Sequence, residues 1–304
     1  MATVSAARIL SARRRVRYRE WALAYLFVLP TIVGLVLFVL GPILYSAAMS
    51  FTNWKIAGTP AFVGLENYQE MFRSELFWRV ARNTAYYTVM NVPASMLCGL
   101  AAALALNRRM RLTTTYRAFF FLPVVTSTVA IALVWGLLYN TDLGVINYLL
   151  SLVGIKGPSW IGSTAWAMPS IVIMSVWKSF GYSMVIFLAG LQGIPTELIE
   201  AAKIDGAGRW HAFRHVTFPL LSPTTFFVLI ITTISSFQVF EATFILTDGG
   251  PAHATRTMAL EIYQNAFRNY RLGFASAQSY FLFAAVLIVT FVQFRVQGRW
   301  THYE

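Results

Sequence analysis

Two apolar stretches of this 304-residue chain contain polar side chains whose types suit the binding of a polar solute. Hydroxyl and amide groups can hydrogen bond to such a solute, and aromatic rings can stack on its apolar face. Polar groups at bilayer depth are costly and tend to face the interior of a helix bundle, so they are candidates for a binding site. The candidates are Ser175, Trp177, Lys178, Ser179 and Tyr182 in one stretch and Thr232, Ser235, Ser236, Gln238 and Glu241 in the other.

Helical spacing groups these candidates, but it leaves alternatives open. Ser175, Ser179 and Tyr182 are spaced by four and three residues and therefore share one helix face. Ser and Thr in membrane helices often hydrogen bond to their own backbone or to a neighbouring helix instead of a solute. Lys178 could attract an anionic solute, and it could equally pair with Glu241 as a structural bridge between the two stretches.

Catalysis by the chain itself is not indicated. Glu241 is the one carboxylate placed deep in an apolar stretch, and all four histidines lie outside these stretches. The chain has one cysteine, and it contains no Gly-x-x-x-x-Gly-Lys-Ser/Thr sequence that would hold the phosphates of ATP. The sequence therefore predicts a chain that is not an enzyme and that binds neither a metal nor a cofactor.

The elements that must position the candidates are membrane-spanning helices. Only 12% of the residues are charged and 57% are hydrophobic, which is too few polar residues for a water-facing domain. A helix needs about 20 apolar residues to cross a bilayer. Six segments meet this requirement, namely 21–50, 82–106, 117–139, 165–191, 223–245 and 276–296. The sequence predicts an all-α, polytopic membrane protein with six transmembrane helices.

Charge gives the predicted orientation and division of the chain. The net charge of +12 falls in short runs between apolar segments, which indicates membrane topology and not nucleic-acid binding. Fifteen Lys or Arg residues lie on the side of the N-terminus and eight on the other, so both termini are predicted to be cytoplasmic. The predicted parts are a basic cytoplasmic tail (1–20), a first helix with an outer loop (21–79), a five-helix core (80–297) and a cytoplasmic tail (298–304).

A polar insert at residues 195–219, which we call the elbow, separates the fourth and fifth predicted spans. Pro195 suits the first turn of a helix, and Gly206 can adopt the left-handed conformation that ends one. A second short helix is predicted from Arg209 to Val216. Amphipathic helices lying at the membrane surface are the alternative interpretation of such an insert.

The spacing within the elbow resembles a known motif. Glu200, Ala201 and Ala202, then Gly206, Val216 and Pro219, resemble the EAA loop of permease subunits in binding-protein-dependent ABC importers. Two further regions are similar to the MalF-like or UgpA-like subunits of the carbohydrate-uptake class. They are "FVGLENY" (62–68) and the region containing "LTDGGPAHATRTMALEIYQNAF" (246–267) and "GFASAQS" (273–279). The resemblance runs from about residue 25 to the C-terminus.

This resemblance implies a type I ABC importer permease fold with a MetI-like core and a location in a bacterial or archaeal cytoplasmic membrane. It implies three partners besides lipid: a second, MalG-like or UgpE-like permease subunit, a dimeric cytoplasmic ATPase that carries ATP and Mg, and an extracytoplasmic solute-binding protein. The ATPase-coupling residues would be Glu200, Ala201, Ala202, Asp205, Gly206, Ala207 and Pro219, and the binding-protein docking residues Gly249, Gly250 and Pro251.

The resemblance also places most of the polar candidates where the maltose permease contacts its sugar. Val239 stands where a polar residue is found in that permease, so the resemblance does not determine the identity of the solute. The expected solute is a sugar, and the alternatives are a glycerol phosphate or a phosphodiester. An ATP-independent transporter is a further alternative, although it would have no use for the elbow.

Overall fold

The protein is described here from a computed structural model, which covers residues 20–21, 23–55, 58–107 and 112–298. Within these ranges the chain is helical apart from its connections, and an isolated bridge between Thr52 and Phe62 is the only strand-like pairing. The prediction of an all-α fold is therefore confirmed for this part of the chain. Most of the predicted N-terminal tail, and all but the first residue of the C-terminal one, lie outside the described residues.

Thirteen helices are numbered here in chain order. They are α1 (Leu23–Met49), α2 (Glu66–Arg73), α3 (Glu75–Leu106), α4 (Thr113–Val125), α5 (Thr128–Leu138), α6 (Val145–Leu152), α7 (Ala167–Gln192), α8 (Thr196–Ile204), α9 (Arg209–Leu220), α10 (Ser222–Phe237), α11 (Glu241–Thr247), α12 (Met258–Tyr263) and α13 (Leu272–Gln297). Wider π-helical turns occur within α1 (Val36–Leu40), within α9 (Phe213–Thr217) and directly after α12 (Gln264–Arg268).

Four of these helices, α1, α3, α7 and α13, are long and apolar enough to cross a membrane. The pairs α4 with α5 and α9 with α10 also qualify, but they are bent by 95° and 65°. A continuous helix over 117–139 is therefore a wrong prediction. Thr126 and Ser127 have extended backbone conformations, with ψ of 144° and 130°, and these two residues separate α4 from α5. The count of six spans stays a prediction.

The predicted fifth span is also interrupted. Helix α10 ends at Phe237, the residues from Gln238 to Phe240 leave the helical conformation, and Glu241 begins α11. A single helix over 223–245 is therefore wrong as well, since an uninterrupted apolar composition does not reveal where the backbone changes direction.

Close contacts between helices form the centre of the molecule. A Cβ atom added at Gly99 of α3 would lie 2.6 Å from Cβ of Ser183 in α7, and one added at Gly181 would lie 2.2 Å from the carbonyl oxygen of Phe120 in α4. Both distances are shorter than side chains tolerate, so these glycines allow α3 and α4 to pack directly against α7. Small residues at helix contacts are typical of membrane proteins.

A buried polar network holds α12 against α13. Arg256 and Glu261 form an ion pair whose side chains are nearly buried. The Asn265 side-chain amide donates to Glu261 at 2.7 Å and to Gln278 of α13 at 3.0 Å. The network therefore depends on the charge of Glu261, which compensates that of Arg256.

We expect Glu261→Gln to destabilise the protein by about 3–5 kcal/mol, because it leaves the Arg256 charge buried without compensation. Asp248→Asn is the matched control: it removes the ion pair of Arg268 with Asp248, whose side chains are about half exposed, and Asn tolerates the φ of +46° at this position. Thermal unfolding in detergent should show a large fall in Tm for the first variant and little change for the second. Equal shifts would contradict the structural role of the network.

Candidate functional site

A cavity of about 480 Å³ lies where α3, α7 and the end of α10 meet the bend between α4 and α5. Nine of the ten predicted solute-contacting residues line it. They are Ser175, Lys178, Ser179, Tyr182, Thr232, Ser235, Ser236, Gln238 and Glu241. The structure thus brings together residues from two segments more than forty positions apart in sequence.

Trp177 is the tenth predicted residue, and the structure places it outside this cavity. Its ring contacts Trp135 of α5, with the ring centroids 5.7 Å apart, and 43% of the residue is exposed. A helix turns by about 100° per residue, so Trp177 points away from the face that carries Ser175 and Ser179.

The interruption after α10 supplies part of the cavity wall, including Gln238, Val239 and Phe240. Non-helical backbone at membrane depth is tolerated where it lines a cavity and its polar groups are satisfied. The Val239 carbonyl oxygen accepts a hydrogen bond of 2.9 Å from the Thr257 hydroxyl. The backbone amide of Val239 donates to the Ser236 carbonyl oxygen at 3.3 Å. The break in the helix is therefore stabilised by residues at both of its sides.

Hydrogen bonds fix several of the polar groups in the wall. The Asn91 amide donates to the Ser236 hydroxyl at 2.9 Å, and the Ser179 hydroxyl lies 3.2 Å from that of Ser95. The Thr232 hydroxyl donates to the Val228 carbonyl oxygen of its own helix at 2.6 Å. For Thr232 the structure therefore shows the backbone hydrogen bond that the sequence left open as an alternative.

The two charged residues of the cavity do not pair with each other. The Lys178 ammonium group donates to the Val124 carbonyl oxygen at 3.4 Å, and none of the ion pairs found among the described residues joins Lys178 to Glu241. Both side chains line the cavity, which gives it one positive and one negative group.

Tyr87 and Asn91 of α3 also line the cavity, although the sequence did not single them out as solute contacts. The Asn91 side chain is buried, and its carbonyl oxygen has no hydrogen-bond partner among the described residues. The available signal was their spacing of four residues in the second apolar span, which places them on one helix face. Asn91 stands near Pro93, and together these two residues indicate a kink from sequence alone.

At the other end of α7, the elbow forms two short helices joined by a tight turn. Gly206 has φ of +85°, which confirms the predicted left-handed turn. The Ala207 amide donates to the Ala202 carbonyl oxygen at 2.9 Å, and the Gly206 amide donates to that of Lys203 at 3.0 Å. These two bonds make a Schellman motif, which fixes the end of α8.

One side of the elbow packs against the membrane-spanning helices, and the other side is exposed. Ile199 packs against the cluster of buried apolar residues that includes Leu188, Leu191 and Leu221, whereas Glu200 is exposed. Five of the other predicted coupling residues lie in α8 and the turn after it: Ala201, Asp205 and Gly206 are exposed, and Ala202 and Ala207 are half-buried. Pro219, near the end of α9, is also half-buried. Nearby, Ile204 and Trp210 expose 87% and 70% of their surfaces. The elbow therefore offers a surface that contains both apolar and charged groups.

The predicted docking residues Gly249, Gly250 and Pro251 form a turn directly after α11. Gly249 is buried with φ of +85°, and the Thr255 hydroxyl donates to the Gly250 carbonyl oxygen at 2.7 Å. The hydrogen bond from Arg268 to neighbouring Asp248 raises the pKa of the Arg268 guanidinium, which therefore stays charged. A Gly-Gly-Pro sequence is a typical turn signal, so the turn itself could be predicted from the sequence.

Comparison with known proteins assigns the chain to a family. Residues 95–301 match the family described as "Binding-protein-dependent transport system inner membrane component", and the chain belongs to this family. A probable ABC transporter permease of Bacillus subtilis, YesP, is 37% identical over 285 residues, which are 92% of each chain. The trehalose/maltose transport system permease MalF of Thermococcus litoralis is 35% identical over 286 residues, covering 93% of this chain and 96% of that protein.

A solved structure has the same fold. It is a chain from a bacterial ABC transporter involved in the import of the acidic polysaccharide alginate, which superposes with a TM-score of 0.83 at 24% identity and covers 96% of this chain and 100% of that one. The resemblance to ABC importer permeases is therefore confirmed, and the chain is a membrane-embedded transport component.

Proposed function

We infer that the chain forms one half of the pathway by which an ATP-driven importer takes up a sugar. The observation that carries this proposal is the cavity, in which hydroxyl, amide and charged groups from three helices converge beside a broken helix in an otherwise apolar bundle. Its volume of about 480 Å³ lies within the range of roughly 300–1,000 Å³ that is common for small-molecule sites.

A sugar suits this wall because its hydroxyl groups both donate and accept hydrogen bonds. Ser235 and Gln238 are exposed in the cavity, the buried Asn91 carbonyl oxygen is free to accept a bond, and the Tyr182 ring can cover an apolar sugar face. The relative from Thermococcus litoralis, whose name refers to trehalose and maltose, supports the same class of solute.

ATP hydrolysis is proposed to take place on a separate cytoplasmic ATPase dimer, which carries ATP and Mg. The exposed side of the elbow would rest on that ATPase, with Glu200 meeting a basic residue there. The turn at Gly206 locks α8 to α9, and α9 is joined to α10 by the single residue Leu221, across a bend of 65°. Closure of the ATPase would therefore move the end of α10 that lines the cavity.

Two further partners complete the proposed importer. A related permease subunit would supply the other half of the pathway, and a solute-binding protein would dock at the turn of Gly249, Gly250 and Pro251. The family's description as binding-protein-dependent supports the second partner. Under this proposal both termini and the elbow face the cytoplasm, in agreement with the distribution of Lys and Arg.

The test is reconstitution of the chain with its partner permease, its ATPase and its binding protein in liposomes. ATP-dependent uptake of radiolabelled trehalose, maltose and sn-glycerol 3-phosphate would be measured side by side, together with stimulation of ATP hydrolysis by each loaded binding protein. We expect a sugar to be taken up and to stimulate hydrolysis. Uptake that continues without ATP would contradict the proposal.

Lys178→Gln separates a neutral sugar from the anionic alternative. For a neutral sugar the variant loses one hydrogen bond to a charged donor, about 1.5–3 kcal/mol, so uptake should fall by roughly 10-fold to 150-fold. For a glycerol phosphate it also leaves a negative charge uncompensated at membrane depth, and uptake should disappear. Lys156→Gln, which removes an exposed charge outside the cavity, is the matched control and should leave uptake unchanged.

A further inference from the structure

Helix α6 carries an apolar stripe that faces away from the rest of the chain. Val145, Tyr148, Leu149 and Leu152 follow the i, i+3, i+4, i+7 spacing of one helix face, and each is at least half exposed. In a water-soluble protein such a stripe faces the core. Here the opposite face is turned inward, so the stripe requires an apolar environment outside this chain.

The orientation of α6 is fixed by Asn147, which lies on the inward face. Its carbonyl oxygen accepts a hydrogen bond of 2.7 Å from the Trp160 indole, and its amide donates to the Thr141 carbonyl oxygen at 3.0 Å. A Cβ atom added at Gly157 would lie only 1.9 Å from that Asn147 oxygen, so the following loop packs tightly against it. The outward direction of the stripe is therefore built into the fold.

Further exposed apolar residues precede the stripe along the chain. Leu133 and Leu137 on α5 are 61% and 74% exposed within the predicted third span, and Leu143, between α5 and α6, is 89% exposed. Exposed Lys156 follows α6, and the half-exposed Trp166 stands at the start of α7. Lys and Trp are typical of the boundary between hydrocarbon and headgroups, where the ammonium group reaches water and the indole stays at the interface.

We propose that α6 is an interfacial helix whose stripe lies among the phospholipid acyl chains of the leaflet opposite the elbow. The apolar stripe carries no charge of its own, it follows the exposed leucines of α5 along the chain, and the Lys and Trp beside it are residues typical of the membrane boundary. The helix would anchor the connection between α5 and α7, and thereby the bend of α4 with α5 that lines the cavity. The proposal concerns contact with lipid and does not depend on the identity of the solute.

Site-directed spin labelling tests this placement directly. Leu149→Cys and Ser151→Cys, each made in a Cys98→Ser background because Cys98 is exposed, place a nitroxide on the stripe and on another exposed side of the same helix. The labelled chain, assembled with its partner subunits, would be reconstituted in nanodiscs of phosphatidylethanolamine and phosphatidylglycerol. Collision rates with oxygen, which concentrates in lipid, and with a water-soluble nickel chelate would then be measured.

We expect the label at position 149 to collide several-fold more with oxygen than with the chelate, and the label at 151 to show the reverse order. A label at 149 that is as accessible to the chelate as the one at 151 would place the stripe in water and overturn the proposal. Protection of position 149 from both reagents would also overturn it, because this result shows that protein covers the stripe. Neither result would affect the proposed uptake of a sugar.

Discussion

In the Gly206→Pro variant, we expect uptake to fall by at least about 100-fold while the importer still assembles and hydrolyses ATP. The proline ring fixes φ near −65°, whereas Gly206 has φ of +85° and uses its amide in the Schellman motif. Losing this turn costs about 3 kcal/mol or more, which lowers the equilibrium constant for forming the native elbow by roughly 100-fold. Without a rigid turn, ATPase closure would no longer move α10.

Gly208→Pro is the matched control for this experiment. Gly208 already has φ of −66°, and no atom lies within 4 Å of the position that a Cβ would occupy. The same substitution two residues further along the elbow should therefore preserve uptake. ATP hydrolysis and uptake would be measured on both variants in the same liposomes. Normal uptake by the Gly206 variant, or equal loss in both variants, would contradict the role of the turn.

The elbow could be predicted from the sequence because its conformation is decided locally. A glycine after Asp205, a proline before α8 and alternating short apolar and charged runs specify two helices and a left-handed turn within about twenty residues. The exposed side of the elbow follows from the same pattern. The contact with an ATPase that we propose for the elbow cannot follow from this pattern, because it depends on the surface of the other protein as well.

The cavity could be predicted only in part. Helical spacing correctly grouped Ser175, Ser179 and Tyr182, since a helix face is a local property. The same spacing places Trp177 on the opposite side of the helix, and this residue was predicted from the ability of its ring to stack on a solute and not from its helix face. Spacing did not add Tyr87 and Asn91, because their contribution depends on how α3 packs against α7. Nor did it locate the interruption at residues 238–240, since tertiary contacts such as the bond from Thr257 stabilise that break.

The same dependence on tertiary packing explains why α6 was not predicted as a separate feature. Its residues lie between two apolar spans and look like an ordinary connection. The direction of its apolar stripe depends on the hydrogen bonds of Asn147 with Trp160 and Thr141, which are 13 and 6 positions away. Membrane-facing and core-facing stripes have the same periodicity, and only the packing of the chain distinguishes them.

Filling the cavity should have the second large effect. Ser235 is exposed within the cavity wall, so Ser235→Trp places an indole in the proposed pathway without displacing buried residues. We expect uptake to fall by at least about 100-fold, because a tryptophan side chain covers roughly 150–250 Å² and would occupy the space needed by a sugar ring. Stimulation of ATP hydrolysis by the binding protein should persist, since the elbow and the docking turn are unchanged.

Phe227→Trp is the matched control, because it places an indole on the same helix at an exposed position that does not line the cavity. Its uptake should equal that of the unmodified chain, and both variants should show the same Tm.

Uptake that is normal in the Ser235 variant would show that the solute does not pass this cavity. Loss of stimulated hydrolysis together with uptake would indicate a defect in coupling, and the obstruction would then not explain the result. Gly206→Pro should also lose uptake and retain ATP hydrolysis, so a measurement of solute binding separates the two variants. The cavity stays free to bind the solute in Gly206→Pro, whereas the indole fills it in Ser235→Trp.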